Sequence, residues 1–255
     1  MAPWLAVLAS ALVALAGRLA GALTTGGAAA AVAVGSAVLL GTGWPGAAAL
    51  GAFFVASSLV SRVAPERNPE AKGARRDLRQ VLANGGAAAL GGLVGLLDPL
   101  GGLWIVTGSL AAAAADTWAT SAGAFSGPAP RDVLTWQRVA PGTNGGVTLL
   151  GTAGGLVGAT IVAAAGSIAS GVPLLLPAAG LVGFVGMVAD SLLGAAVQGR
   201  FRCPRCDTPS EWRVHRCGSA TVPQGGWVWL DNDGVNAAAT ALGALGGWVA
   251  WRLLS

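Results

Sequence analysis

GMVADSLLGA (186–195) sets an aspartate, Asp190, inside a run of residues that is otherwise apolar. Three further stretches place polar residues within or directly against apolar runs: ADTWATSAG (115–123), VAPGTNGGV (139–147) and WLDNDGVN (229–236). An ionisable side chain in a segment that faces lipid is costly, and such residues usually mark a functional site. The four stretches therefore predict one shared site in a membrane protein.

The composition of the chain is that of a membrane protein. Its 255 residues are 54% hydrophobic and only 10% charged, with a mean hydropathy of +0.66, whereas soluble domains carry about 25% charged residues. The 41 glycines suit membrane helices, because small residues let helix backbones pack closely. No polar segment is long enough for a soluble unit, so we predict a single integral-membrane domain over residues 1–255, an all-α polytopic helical bundle.

The apolar runs predict about eight transmembrane helices. Two of them share residues 27–61, a run that is too long for one crossing of about 20 residues and is broken at Gly43-Trp44-Pro45. The other predicted helices cover residues 3–23, 80–97, 100–124, 145–169, 173–197 and 230–255.

The basic residues predict the orientation of the bundle. Nearly all of them lie in three loops, at 61–80, 126–144 and 198–228, and Arg and Lys in short loops favour the cytoplasmic face. Both termini are then predicted outside, in the inner membrane if the cell is prokaryotic. Arg252 is the one exception, and its long side chain can reach the outer headgroups.

With this orientation, polar residues from five helices fall in the cytoplasmic half of the membrane. We expect them to surround a cavity that opens to the cytoplasm and to the inner leaflet. They are Asn84, Asp116, Thr143, Asn144, Asp190, Asp231, Asp233 and Asn236.

The four aspartates Asp116, Asp190, Asp231 and Asp233 are predicted to bind Mg²⁺, because this hard cation takes carboxylate oxygens and substrate phosphates. Three alternatives stay open. Asp231 precedes a helix and suits an N-cap; the acids could form buried hydrogen bonds; or they could relay protons or cations, as in transporters.

PGTNGGV (141–147) is predicted to begin a helix and to bind phosphate there. Unsatisfied N–H groups and the helix dipole make a helix N-terminus an anion site, and Thr143, Asn144, Gly145 and Gly146 would supply it. The alternative is an ordinary cap with small residues for packing.

Two arginines are predicted to neutralise phosphate charge, since a guanidinium binds phosphate with two parallel hydrogen bonds. Arg79 begins a helix on the predicted cytoplasmic side, and Arg138 lies just before the PGTNGG sequence. The alternative is that these residues set the topology and touch anionic lipid heads.

The loop at 198–228 carries CPRCDTPSEWRVHRCG (203–218). Three clustered cysteines are an odd number for a disulfide framework and favour a reducing, cytoplasmic setting. Cys203, Cys206, His215 and Cys217 predict a closed structural Zn²⁺ centre, a small zinc knuckle within the loop. The alternative is reduced thiols without a metal.

Five motifs together resemble an integral-membrane family that includes plant phytyl-phosphate kinase and animal transmembrane protein 19. They are RDLRQVLANGG (76–86), ADTWATSAG (115–123), PGTNGGV (141–147), GMVADSLLGAAVQ (186–198) and WLDNDGVN (229–236). The resemblance implies a kinase that converts a prenyl monophosphate of the phytyl or geranylgeranyl type into the diphosphate, with CTP or ATP as donor. It also implies that the aspartates serve Mg²⁺, and that Arg79, Asn84, Arg138, Asn236 and residues 143–146 serve the phosphates.

The sequence is also compatible with other functions. A lipid-phosphate cytidylyltransferase would use the same CTP, Mg²⁺ and lipid phosphate but would release pyrophosphate. A transporter or flippase would instead show inverted repeats and polar groups near both faces. We expect no nucleic-acid partner, and the small-residue helix faces leave a homodimer open.

Overall fold

The computed structural model describes residues 2–65 and 75–254, so part of the predicted loop at 61–80 lies outside the described residues. Within these ranges the chain forms seven α-helices and five short β-strands. The helices are α1 Pro3–Leu19, α2 Thr25–Val63, α3 Leu78–Gly95, α4 Pro99–Gly123, α5 Leu149–Ser170, α6 Leu175–Ala196 and α7 Asn232–Leu254. The strands are β1 Arg131–Asp132, β2 Gly146–Val147, β3 Arg200–Cys203, β4 Thr208–Ser210 and β5 Val222–Gly225.

Helix α2 reverses direction at the predicted break. Gly43 has φ +64° and ψ −151°, a conformation that glycine adopts without the penalty of a side chain. Gly35 lies beside Leu50, although in a continuous helix residues fifteen apart would be about 22 Å from each other. Arg62 donates a hydrogen bond to the carbonyl of Ala20, so the start and the end of α2 lie at the same end of the bundle.

The described residues thus contain eight helical segments, with α2 counted as two. Four of the helices, α2, α5, α6 and α7, are long and apolar enough to cross a membrane by length and composition. That all eight segments cross the membrane stays a prediction.

Helix α4 is the centre of the bundle and packs against α2, α3, α5, α6 and α7. Every residue from Gly101 to Ala115 is buried. Small residues make this possible: a side chain at Gly108 would collide with the carbonyl of Gly243 in α7. Lipid is as apolar as leucine, so close packing of backbones, and not hydrophobicity, holds such helices together.

The close contact between α2 and α3 gives a test of this packing. A Cβ at Gly92 would collide with the carbonyl of Ala37, whereas a Cβ at Gly86 in the same helix meets nothing within 4 Å. We expect Gly92→Ala to lower the melting temperature in detergent by several degrees. Gly86→Ala should leave it unchanged or raise it, because alanine favours helix by about 1 kcal/mol over glycine. Equal shifts for both variants would contradict this account of the packing.

Helix α5 begins later than the sequence predicts. The Thr148 hydroxyl accepts a hydrogen bond from Gly151 N–H at 2.9 Å and caps α5, so the helix starts at Leu149 and not at residue 145. The preceding residues Gly146 and Val147 form β2, which pairs antiparallel with β1. The prediction that PGTNGGV forms a helix N-terminus is therefore wrong, and the motif is a loop that ends in β2.

The region between α6 and α7 is not a plain loop. We call residues 198–228 the insert; within it β3 pairs antiparallel with β4 and with β5. The predicted all-α class is thus corrected to a helical bundle that carries small β-ladders outside the helices.

Candidate functional site

One end of the bundle encloses a cavity of about 1220 Å³. The last turns of α4 and α6 border it together with the first turns of α3, α5 and α7. Successive helices run in opposite directions, which brings these ends together. Apolar helices thus carry a polar cavity at one of their two ends.

Most of the residues predicted for the site line this cavity. They are Arg79, Asn84, Asp116, Thr143, Asn144, Gly145, Gly146, Asp190, Asp231, Asp233 and Asn236. Arg138 does not line it; this residue is exposed and forms an isolated β-bridge with Arg131. The backbone pairing of the 131–138 hairpin holds Arg138 away from the cavity. The short distance in sequence between Arg138 and PGTNGG did not show this.

Asp116 and Asp190 form the first acidic pair. Their side chains are within hydrogen-bonding distance of each other across the interface of α4 and α6. Two carboxylates so close cannot both carry full charge without a cation or a shared proton. The pair is therefore suited to a bound divalent cation.

The second acidic group is joined to a cation of the chain. Arg79 on α3 forms an ion pair with Asp231, Nη2 to Oδ2, at 2.7 Å, and its Nε lies 3.8 Å from Asp233 Oδ2. Asp231 also accepts a hydrogen bond from Gly234 N–H at 3.1 Å. It therefore caps α7, one of the two roles that its sequence position suggested. Asp233 is buried and lies in the first turn of α7.

The oxygen atoms of this wall fit the demands of Mg²⁺. Asp190 Oδ2 and Asn236 Oδ1 are buried and have no hydrogen-bond partner within residues 2–65 and 75–254. A buried acceptor without a partner costs free energy, and a hard cation with its waters would satisfy both atoms. The residues present thus fit a magnesium ion.

The PGTNGGV loop covers the end of α6. Its turn is held by the Thr143 hydroxyl, which donates to the Ala140 carbonyl at 2.8 Å, and by Gly146 N–H, which donates to the Thr143 carbonyl at 2.9 Å. Gly145 has φ +76°, and a Cβ there would collide with Ala195. Glycine at 145 thus allows the loop to lie directly on α6 beside the cavity.

Several cavity residues were not predicted. Thr117, Thr120 and Ser191 follow the aspartates by one or four positions on the same helices, a spacing that could have identified Thr120. Glu211, Trp212 and Arg213 belong to the insert. No local signal in the sequence shows that these residues of the insert border the cavity.

Arg76 is a further cation of the cavity wall. Its guanidinium lies 5.1 Å from the centre of the Phe53 ring and 5.9 Å from that of Phe54, and cation–π attraction stabilises such a position. Burial lowers the pKa of Arg76 to about 10, so the side chain stays charged at neutral pH. Arg76 therefore contributes positive potential to the cavity.

The four predicted zinc ligands form a compact cluster within the insert. One ligand atom from each of Cys203, Cys206, His215 and Cys217 lies within 4.8 Å of all the others. Cys203 Sγ is 3.7 Å from Cys217 Sγ, and His215 Nδ1 is 3.1 Å from Cys217 Sγ. The hydrogen bond with Cys217 raises the pKa of the Cys206 thiol to about 11.

Comparison with known proteins places the chain in a family. No solved structure matches. An uncharacterized membrane protein of Methanocaldococcus jannaschii is 35% identical over 148 residues, which are 56% of this chain and 61% of that protein. Protein PGR of Arabidopsis thaliana is 31% identical over 225 residues, 74% of this chain and 76% of that protein.

The chain thus spans less than two thirds of the archaeal relative and about three quarters of the plant one. The family described as Integral membrane protein DUF92 matches residues 8–244, a range that contains all five motifs on which the resemblance depends. The family predicted from those motifs is confirmed. The chain belongs to the integral membrane protein family DUF92.

Proposed function

We propose that this chain is a prenyl-monophosphate kinase. It would transfer the terminal phosphoryl group of a nucleoside triphosphate to a prenyl monophosphate of the phytyl or geranylgeranyl type. CTP is the proposed donor. An oxygen of the acceptor phosphate attacks the γ-phosphorus, the bond from that phosphorus to the β,γ-bridging oxygen breaks, and the nucleoside diphosphate leaves. The observation that carries the proposal is one cavity that joins four aspartates, four arginines and a glycine-rich loop at one end of an apolar bundle.

The demands of this reaction match the residues of the cavity. Phosphoryl transfer needs little covalent help from the protein and depends on positioning and charge neutralisation. The acceptor is already an anion, so no strong general base is required. Asp116, Asp190, Asp231 and Asp233 would hold Mg²⁺, which when bound supplies positive charge to the phosphates.

The remaining cavity residues would bind and orient the two phosphate groups. Backbone N–H groups in a glycine-rich turn can bind an anion. Asn144 and Gly145 would supply them here, whereas the N–H of Gly146 already donates to the Thr143 carbonyl. Asn84 and Asn236 would donate side-chain hydrogen bonds. The prenyl chain would extend from the cavity towards the surrounding lipid, where its apolar carbons are favoured.

We propose that the cavity faces the cytoplasm. Arg62, Arg76, Arg79 and Arg213 line it, whereas Arg252 lies in the last turn of α7, which begins at the cavity and runs away from it. This asymmetry supports a cytoplasmic cavity through the positive-inside rule. It also gives soluble nucleotide direct access to the site.

Substitution of Arg79 tests whether the arginines of the cavity bind phosphate. We expect Arg79→Ala to lower kcat/KM by about tenfold to a hundredfold, because charged hydrogen bonds to phosphate contribute about 1.5–3 kcal/mol. Arg138→Ala is the matched control, since this exposed residue lies off the cavity, and it should keep wild-type rates. A loss of equal size in both variants would show that the cavity does not define the site.

The direct experiment is an assay of the purified protein in detergent. The protein is incubated with Mg²⁺, geranylgeranyl or phytyl monophosphate and either CTP or ATP, and the products are identified by mass spectrometry. A prenyl diphosphate with CDP or ADP supports the kinase and identifies the donor. A CDP-lipid with pyrophosphate would establish a cytidylyltransferase instead, and no turnover with either donor would contradict both enzymes and leave transport to be assayed.

A further inference from the structure

The insert between α6 and α7 contains all three cysteines and the one histidine of the chain. We propose that Cys203, Cys206, His215 and Cys217 bind one structural Zn²⁺, and that this centre holds the segment 211–214 over the mouth of the cavity. The proposal depends on the geometry of the insert and not on which reaction the cavity performs.

The distances suit a tetrahedral zinc site. With Zn–S bonds of about 2.3 Å, two thiolates of a tetrahedron lie about 3.8 Å apart, and Cys203 Sγ and Cys217 Sγ are 3.7 Å apart. All four ligand atoms lie within 4.8 Å of one another. Three thiolates and one imidazole leave no open position, so the centre is structural and not catalytic.

Two turns of the backbone present the ligands in pairs. The fully buried Cys203 ends β3, where it is paired with Thr208 across the ladder, and backbone N–H groups of Arg205 and Cys206 are directed at its sulfur. In the second turn Gly218 N–H donates to the His215 carbonyl at 2.8 Å, which brings Cys217 back towards the first pair. Both turns thus point their side chains at one place.

The insert has too little core to hold this shape unaided. Within it Phe201 and Cys203 are the buried apolar side chains, and folded units shorter than about 40 residues usually need a metal, a disulfide or a partner surface. Structural zinc supplies folding free energy directly in such small units. Zinc bound by the cluster would therefore stabilise the fold of the insert.

The segment 211–214 is tied to the ligands on both sides. Val214 directly precedes His215, and Glu211, Trp212, Arg213 and Val214 all line the cavity. Thr221 fastens the segment from the other side: its hydroxyl donates to the Trp212 carbonyl at 2.7 Å, and its N–H donates to the Arg213 carbonyl at 3.0 Å. Loss of the metal would free His215 and with it this wall of the cavity.

Metal analysis of the purified protein tests the first half of the proposal. We expect about one zinc per chain by inductively coupled plasma mass spectrometry, and less than about a tenth of that in Cys206→Ser. Asp207→Asn is the matched control, because Asp207 is an exposed neighbour of Cys206 with φ +53°, a conformation that asparagine also tolerates. Wild-type protein that contains no zinc, or another metal in its place, would overturn the proposal.

Limited proteolysis without any substrate tests the second half. Removal of zinc from the wild-type protein by a chelator should speed tryptic cleavage after Arg205, Arg213 and Arg216 at least about tenfold, and added zinc should restore protection. The helical circular dichroism should stay unchanged, which excludes global unfolding. If zinc is lost and the cleavage rate of the insert stays the same, the metal does not hold the segment 211–214. A failed kinase assay would leave both results intact.

Discussion

Asp190→Asn is expected to lower prenyl diphosphate formation by about a hundredfold to a thousandfold, the range found when one electrostatic partner of a transition state is removed. Asp190 pairs with Asp116 in the cavity wall, and its Oδ2 is buried without a partner in the described part of the chain. An amide at this position keeps the shape of the side chain but removes the charge that Mg²⁺ requires.

The same variant should be as stable as the wild type or more stable. Replacing one of two adjacent carboxylates removes a like-charge contact, and functional sites often sacrifice stability in this way. The melting temperature in detergent, measured with and without Mg²⁺, checks this. Mg²⁺ should stabilise the wild type and not the variant, because a ligand stabilises only the state that binds it.

Asp98→Asn is the matched control for Asp190→Asn. Asp98 caps α4 by accepting the Gly101 N–H at 3.0 Å, at the end of that helix opposite Asp116, and asparagine caps helices about as well as aspartate. This control should keep its activity and its response to Mg²⁺. If Asp190→Asn keeps full activity, or gains as much stability from Mg²⁺ as the wild type, the acidic pair does not bind the metal.

Gly145→Ala is expected to lower activity by about a hundredfold, the loss that a displacement of about 1 Å in a substrate-positioning group can produce. The residue has φ +76°, and the added methyl group would collide with Ala195. The left-handed conformation costs a residue with a side chain about 1–2 kcal/mol. The PGTNGGV loop must therefore move off α6, and its N–H groups move with it.

Two further variants test the explanation of the Gly145→Ala effect. Gly127→Ala changes a glycine of the same connection whose Cβ would meet nothing within 4 Å, and it should keep wild-type activity. Adding Ala195→Gly to Gly145→Ala should restore activity only in part, because backbone atoms of Ala195 still lie 2.8 and 3.0 Å from the new Cβ. Full activity in Gly145→Ala would show that the loop does not position the substrate.

The elements that the sequence predicts best are those with a strong local cause. The break at Gly43-Trp44-Pro45 is visible because proline and glycine disrupt helices wherever they occur, and α2 reverses there. The family could be identified from its motifs because each motif is a short, continuous stretch of the sequence. Helix α4 is a further case, since the apolar run after Asp98-Pro99 predicts a helix over residues 100–124 and the structure has Pro99–Gly123.

The start of α5 was predicted wrongly because two local signals compete. Thr143 and Thr148 both suit an N-cap, and only the pairing of β2 with β1 removes Gly146 and Val147 from the helix. Arg138 and Arg213 show the same limit for the site. Arg138 is close in sequence to PGTNGGV but lies off the cavity, whereas Arg213, which is outside the five family motifs, lines it.

The sequence by itself determined that this chain is a membrane protein, which family it belongs to, and which acids are costly enough to require a function. These properties depend on composition and on short-range order, which the chain carries before it folds. Tertiary structure decided the rest: that Asp190 meets Asp116, that Arg79 reaches Asp231 across 152 positions, and that residues 211–214 of the insert line the cavity. Such contacts depend on how helices pack and where loops return, and these are set by the sum of many weak contacts between distant residues.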